Sequence, residues 1–142
     1  MSPKKSSRKK HVLPYPQHLL KPEDLMTFIQ LAGFDDDWME LGFTDTDLQA
    51  LEIMIMMAPT GAPVVSGTDG LRKIRFGRAD RNKGKRGGAR ICYVYFDEFK
   101  IVLLVVAYGK DEKDDLSPAE KQEIRNLIAR EHAAFHKQQF SE

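Results

Sequence analysis

Residues 70–96 read GLRKIRFGRADRNKGKRGGARICYVYF, and the fold turns on how that run divides. The first part alternates: Arg72, Ile74 and Phe76 share one side, Leu71, Lys73 and Arg75 the other. That is the two-residue period of a strand, predicted here over Leu71 to Arg78. The last part, Ala89 to Phe96, is β-branched and aromatic and predicts a second strand. Between them lies a basic, glycine-rich connection holding Arg81, Lys83, Lys85 and Arg86, with Asp80 the one acid from Gly70 to Phe96. Cations at that density, tethered at both ends by strands, point to a polyanion as partner.

Toward the C-terminus, Asp97 and Glu98 predict a tight turn, and Lys100 to Tyr108 a third strand. Its core, IVLLVVA, is apolar on both faces, so this strand is expected at the centre of a sheet covered on both sides. The short turn makes the neighbours antiparallel. Ser117, Pro118 and Glu120 then supply an N-cap, a proline at the first helical position and a capping-box glutamate. The helix is predicted to run to about Phe135, burying Ile124, Leu127, Ile128 and Phe135.

Toward the N-terminus, Gly67–Gly70 and the Pro59–Pro63 segment are loops. A helix capped by Thr44 or Asp45 is predicted to end near Met57, with Leu48, Leu51, Ile55 and Ala58 as its buried stripe. Phe34 to Leu41 predicts a short helix with Phe34 and Trp38 one turn apart, and Asp35–Asp37 at its positive end. Glu23 to Leu31 predicts a strand. Residues 1–20 are rich in lysine, serine and proline and read as a flexible basic arm, with a folded domain over 21–142. The fold class expected is α+β: an antiparallel sheet packed by two N-terminal helices and one C-terminal helix.

Composition narrows the chemistry. The 142 residues suit one domain, and the net charge of +1 shows that the basic run is offset by acids elsewhere. A single cysteine, Cys92, cannot form an internal disulfide and fits a reducing, cytoplasmic setting. No apolar run reaches membrane-spanning length, and the basic start lacks the apolar segment of a secretory signal. Four histidines (His11, His18, His132 and His136) lie in the arm or near the chain's end, away from the strands. His132 and His136 are one helical turn apart, but Ala133 stands where the zinc-protease motif needs glutamate, so no metal site is expected. Gly84, Gly87 and Gly88 are not followed by the lysine and hydroxyl of a phosphate loop. The acids Asp97, Glu98, Asp111, Glu112, Asp114 and Asp115 sit in turns rather than on strands. No cofactor is called for.

Lysine, arginine and tyrosine remain, and these suffice to cut RNA without a metal. A base takes the 2′ proton, cations hold the charge growing on the phosphoryl oxygens, and an acid protonates the leaving 5′-oxygen. A lysine among other cations has its neutral form favoured, which suits a base. Tyr93, Tyr95 and Tyr108 are candidates to stack on a base or donate a proton, although strand tyrosines are commonly packing residues.

The run GLRKIRFGRADRNKGKRGGARICYVYF, with LLVVAYGKDEKDDLSPAE after it, resembles the RelE/HigB toxins of type II toxin–antitoxin pairs, closest to the HigB-like branch, over about Leu25 to Phe135. The resemblance implies a compact toxin that enters the ribosomal A site and cleaves mRNA, and a cognate antitoxin, of helix-turn-helix type, that neutralises it. By position, Lys73 and Arg75 resemble the family's catalytic basic pair, with Lys73 as base. Arg90 resembles its phosphate-binding arginine, and Lys110 a basic residue after the last strand. Tyr108 is assigned the stacking or acid role, there being no later tyrosine. Arg72, Arg78, Arg81, Lys83, Lys85, Arg86 and Tyr93 are assigned to RNA binding. Asp111 stands where RelE has arginine, so Lys85, Arg86 or Lys113 would have to substitute. Two alternatives stay open: a ParE-type gyrase poison, and a non-catalytic RNA- or antitoxin-binding protein of the same fold.

Overall fold

The computed structural model of the chain describes residues 9–11, 20–77, 88–110, 112 and 115–140. Five strands form one mixed sheet: β1 (Lys9–His11), β2 (Thr27–Gln30), β3 (Leu71–Phe76), β4 (Ala89–Phe96) and β5 (Ile101–Gly109), in the order β1-β2-β5-β4-β3. All pairings are antiparallel except β2 with β5, which run parallel. Helices α1 (Phe34–Glu40) and α2 (Asp45–Met57) cover one face, and α3 (Pro118–Phe140) the other. This is the expected α+β arrangement. The parallel pair arises because α1, α2 and two further strands intervene between β2 and β5, room enough for a crossover.

Strand β5 joins the two cores. Val102 and Leu104 belong to the cluster roofed by α1 and α2, Leu103 and Val105 to the cluster that includes Ile124, Leu127 and Phe135 of α3. All four are buried, as a run apolar on both faces requires. On the first face Trp38 is the anchor. Its ring lies 4.5 Å from that of Phe43 and 5.6 Å from that of Phe76, and its Nε1 donates to the Thr44 carbonyl at 3.0 Å. That bond ties α1 to the start of α2 and satisfies the indole's one polar group.

Both helix starts follow their sequence signals. Thr44 caps α2: its Oγ1 accepts from Asp47 N at 3.3 Å, and its own N–H donates to Asp47 Oδ2 at 2.8 Å. At α3, Glu120 N donates to Ser117 Oγ at 3.1 Å, and Ser117 N to Glu120 Oε1 at 2.8 Å. These reciprocal pairs satisfy amides that a helix start leaves without intrahelical partners.

Several boundaries differ from expectation. β2 is confined to Thr27–Gln30, because Pro22 initiates a 3-10 turn over Pro22–Asp24. In α2, Ala58 is the exposed C-cap, while Glu52 and Met56 are buried beside Leu48, Leu51 and Ile55. α3 continues past Phe135 to Phe140. The boundary at residue 20 also shifts: Leu20 is buried in the first core, and Lys9–His11 pairs with β2 as an edge strand. Cys92 is buried on β4, as a structural thiol would be.

Past Leu104, β5 has no β2 partner, and α1 closes that open side. The Asp37 carboxylate accepts from the Ala107 amide there. Burial is the main cause raising Asp37 above its ordinary value, with Glu40, Glu112 and Asp36 adding to it and the Ala107 bond opposing it. A raised folded-state value means that the native protein holds this proton more tightly than the unfolded chain. Stability therefore falls as pH rises through the window between the ordinary and the raised value, and the penalty persists at neutral pH. Asp37→Asn keeps an acceptor for Ala107 without the charge. It should raise Tm at pH 7, leave it nearly unchanged at pH 3, and flatten the dependence between, as read by thermal melts across that range.

Candidate nucleic-acid interface

The sheet has two ends. At the turn end, Phe96 faces Ile101; at the open end, Ala89 faces Gly109 on one side and Phe76 on the other. Residues directly opposite in a ladder project to the same face. On the α3 side of the open end, Arg75 pairs with Arg90, and Arg90 with Tyr108. One row inward, Lys73 pairs with Cys92. Lys73, Arg75, Arg90 and Tyr108 thus occupy one patch of one face. The face opens progressively along β4: Val94 and Cys92 are buried, Arg90 is half-buried, and Arg75 across from it is exposed.

Tyr108 reaches this row only because β5 is irregular. Cys92 pairs with Val106 while Tyr93 pairs with Leu104, which leaves Val105 as an inserted residue. The bulge sets Val105 and Val106 on the same side, and everything beyond is reversed. Under plain alternation from Val102 and Leu104, Tyr108 would face α1 and α2. With the bulge it joins the α3-side cluster, in line with Arg90. The 9 residues of β5 include neither proline nor a charged side chain and carry no local signal for that bulge.

The electrostatics of the row are unbalanced. Two arginines directly opposite each other on neighbouring strands repel, which weakens a sheet unless an anion lies between them. Arg90 is steadied by donating from one Nη to the Gly88 carbonyl at 3.3 Å. A guanidinium has five N–H donors in a planar fork, a geometry suited to phosphate oxygens. The described residues Gly77 and Gly88 flank the connection 78–87 and stand just beyond the Phe76–Ala89 pair, so that connection leaves and rejoins the sheet beside the row. Arg78, Arg81, Lys83, Lys85 and Arg86 lie outside the described residues, as do Asp111 and Lys113. Lys110 is exposed in the turn after β5, at the same end but past the last ladder pair.

Two residues assigned to RNA binding belong elsewhere. Tyr93 is fully buried on the opposite face, in the first core, and its hydroxyl donates to the Pro59 carbonyl at 3.0 Å. Burial pushes its phenol above the usual range, opposed by nearby Arg72. It cannot stack on a base. Arg72 shares that face, and its Nη1 donates to the carbonyls of Thr60 (3.1 Å) and Ala62 (2.6 Å), clamping the loop before β3. Alternation alone separates Arg72 from Lys73 and Arg75. What alternation cannot show is the loop waiting on that side.

His132 stands at the turn end, one helical turn from His136. His132 Nε2 lies 2.5 Å from Glu98 Oε1, and its ring packs 5.4 Å from that of Phe99. This contact fastens α3 to the β4–β5 turn. The His132 and His136 rings are 6.4 Å apart, and among the described residues no three His, Cys, Asp or Glu side chains converge as a metal-holding group. No helix among them is long and apolar enough to cross a membrane.

Removing the Tyr93 hydroxyl (Tyr93→Phe) should cost about 1 kcal/mol of stability, the net worth of one hydrogen bond, as read by denaturant melts. Arg75→Thr relieves the cross-strand repulsion and should stabilise the apo protein by about 0.2–1 kcal/mol. Inorganic phosphate is expected to raise the Tm of the unsubstituted protein, and Arg75→Thr should abolish that rise, as read by thermal melts with and without phosphate. No family model matches the chain.

Proposed function

We propose that this protein is the toxin of a type II toxin–antitoxin pair, a ribosome-dependent mRNA endoribonuclease acting in the cytoplasm. The observation that carries this reading is the row itself: Lys73, Arg75, Arg90 and Tyr108 on one sheet face at the end where the basic connection attaches. The likeness of the GKRGGAR and YGK segments to RelE/HigB toxins supports it.

In this reading an RNA phosphate sits between Arg75 and Arg90. Lys73 Nζ accepts the proton of the adjacent 2′-hydroxyl. The 2′-oxygen attacks phosphorus in line, and the two guanidinium groups hold the charge that grows on the non-bridging oxygens. The bond to the 5′-oxygen breaks, and Tyr108 protonates that oxygen as it leaves. The products are a 2′,3′-cyclic phosphate and a 5′-hydroxyl. Residues 81–86 and Lys110 supply further phosphate contacts, and a helix-turn-helix antitoxin neutralises the activity.

Induced expression followed by mapping of mRNA ends on ribosomes is the direct test. New ends should carry 5′-hydroxyls, and translation should stop. Lys73→Ala combined with Arg90→Ala should lower cleavage by at least about 10²-fold, the lower range for one general acid–base group, with the fold intact by circular dichroism. Continued translation without new ends, while DNA replication stalls, would sink the nuclease reading in favour of gyrase poisoning.

A further inference from the structure

The end of β5 that carries Tyr108 is held differently from the rest of the strand. Up to Leu104 it lies between two ladders, β4 on one edge and β2 on the other, and Leu31 N donates to the Leu104 carbonyl at 3.0 Å where the β2 pairing ends. The bulge at Val105 then disrupts the β4 ladder locally. Beyond it, Tyr108 has Arg90 on the β4 edge and, among the described residues, no strand partner on the other. A cavity of about 200 Å³, lined by Asp37, Glu40, Leu41, Ala107, Tyr108 and Glu112, borders this stretch, so that side is not filled by packed side chains.

Helix α1 takes over the edge that β2 leaves. Only residues 31–33 separate the strand from the helix. The Asp37 carboxylate accepts the Ala107 N–H, in the place a strand carbonyl would take. At Gly109 an added Cβ would meet Leu41 Cδ2 at 3.7 Å, so the same helix also backs the residue after Tyr108. Tyr108 therefore stands between two residues that α1 steadies. The helix itself is fixed, because Trp38, next to Asp37, is buried in the first core and bonded to the Thr44 carbonyl. Groups that take part in chemistry need placing to within about 0.5 Å, and an acceptor on a fixed helix supplies that for a strand end.

We propose that Asp37 is a positioning residue: by bonding the Ala107 N–H it sets where the Tyr108 phenol meets the leaving 5′-oxygen. The proposal rests on the endoribonuclease reading, in which Tyr108 gives that oxygen its proton as the phosphorus–oxygen bond breaks. Asp37 lies across the strand from Arg90 and acts only through the backbone.

The test compares Asp37→Ala, which removes the acceptor, with Asp37→Asn, which keeps it, in the full chain on programmed ribosomes. Two mRNAs are used, one normal and one with sulfur in place of the 5′-oxygen at the mapped cleavage position. A thiolate leaves without a proton, so the second mRNA needs no acid. Asp37→Ala should lower kcat on the normal mRNA at least about 10-fold with KM unchanged, since a misplacement of about 1 Å can cost about 10²-fold. On the sulfur mRNA it should match the unsubstituted protein, as should Tyr108→Phe. Asp37→Asn should cut both mRNAs normally. Amide exchange at Ala107 should quicken in Asp37→Ala and not in Asp37→Asn.

Full-rate cutting of the normal mRNA by Asp37→Ala, or unchanged exchange at Ala107, overturns the proposal. So does a loss that persists on the sulfur mRNA, which would mean a general weakening of the fold. An Asn variant as slow as the Ala variant also overturns it, because charge rather than the bond would then matter. Full activity of Tyr108→Phe on the normal mRNA overturns the proposal alone and leaves the nuclease reading with another acid. If the unsubstituted protein cuts neither mRNA, the endoribonuclease reading falls with it.

Discussion

The two-faced burial of β5 is the constraint on which the molecule depends. Val102 and Leu104 look to α1 and α2, Leu103 and Val105 to α3, and none of the four is solvated. A strand with apolar groups on both faces must lie inside a sheet with helices on either side. Its neighbours are set by that position: β4 by a short turn on one edge, β2 by a parallel pairing on the other. The backbone is held there by ladders on both sides as far as Leu104, and by Asp37 beyond.

Rigid placement of β5 and β4 is what allows a repelling arrangement at the open end. Arg75 and Arg90 are directly opposite with like charge, an arrangement that disfavours pairing, and one is exposed while the other is half-buried and held to the Gly88 carbonyl. The burial gradient along β4 fits this division: hydrophobic side chains and α3 at the turn end, cations at the open end. Lys73 at the border is level with buried Cys92, so its stem lies against the core edge while it belongs to the cationic patch.

Tyrosines show how much of the site is legible in the sequence. Tyr93 and Tyr108 both lie on apolar strands, and nothing within a few residues distinguishes them. Tyr93 is a core side chain satisfied by the Pro59 carbonyl, 34 residues away in sequence. Tyr108 lies beside Arg90 because one inserted residue, Val105, reverses the face of the later strand residues. A bulge changes parity without a local sequence mark when every candidate residue is apolar. Arg72 is a parallel case: its strand face is readable, the loop carbonyls that occupy it are not.

The sequence by itself determined the types of the elements from α1 onward and the starts of α1, α2, β3, β4 and α3, because these rest on local physics. Alternation made β3 and set Lys73 and Arg75 on one face; Thr44, and Ser117 with Glu120, marked helix starts; IVLLVVA required a central strand. Only the tertiary structure decided what long-range pairing controls. It set the parallel partnership of β2 with β5, the entry of Lys9–His11 as an edge strand, and the register that aligns Arg75, Arg90 and Tyr108. Those alignments join residues far apart in the chain, and a side chain's own neighbours in sequence hold no information about which strand will lie beside it.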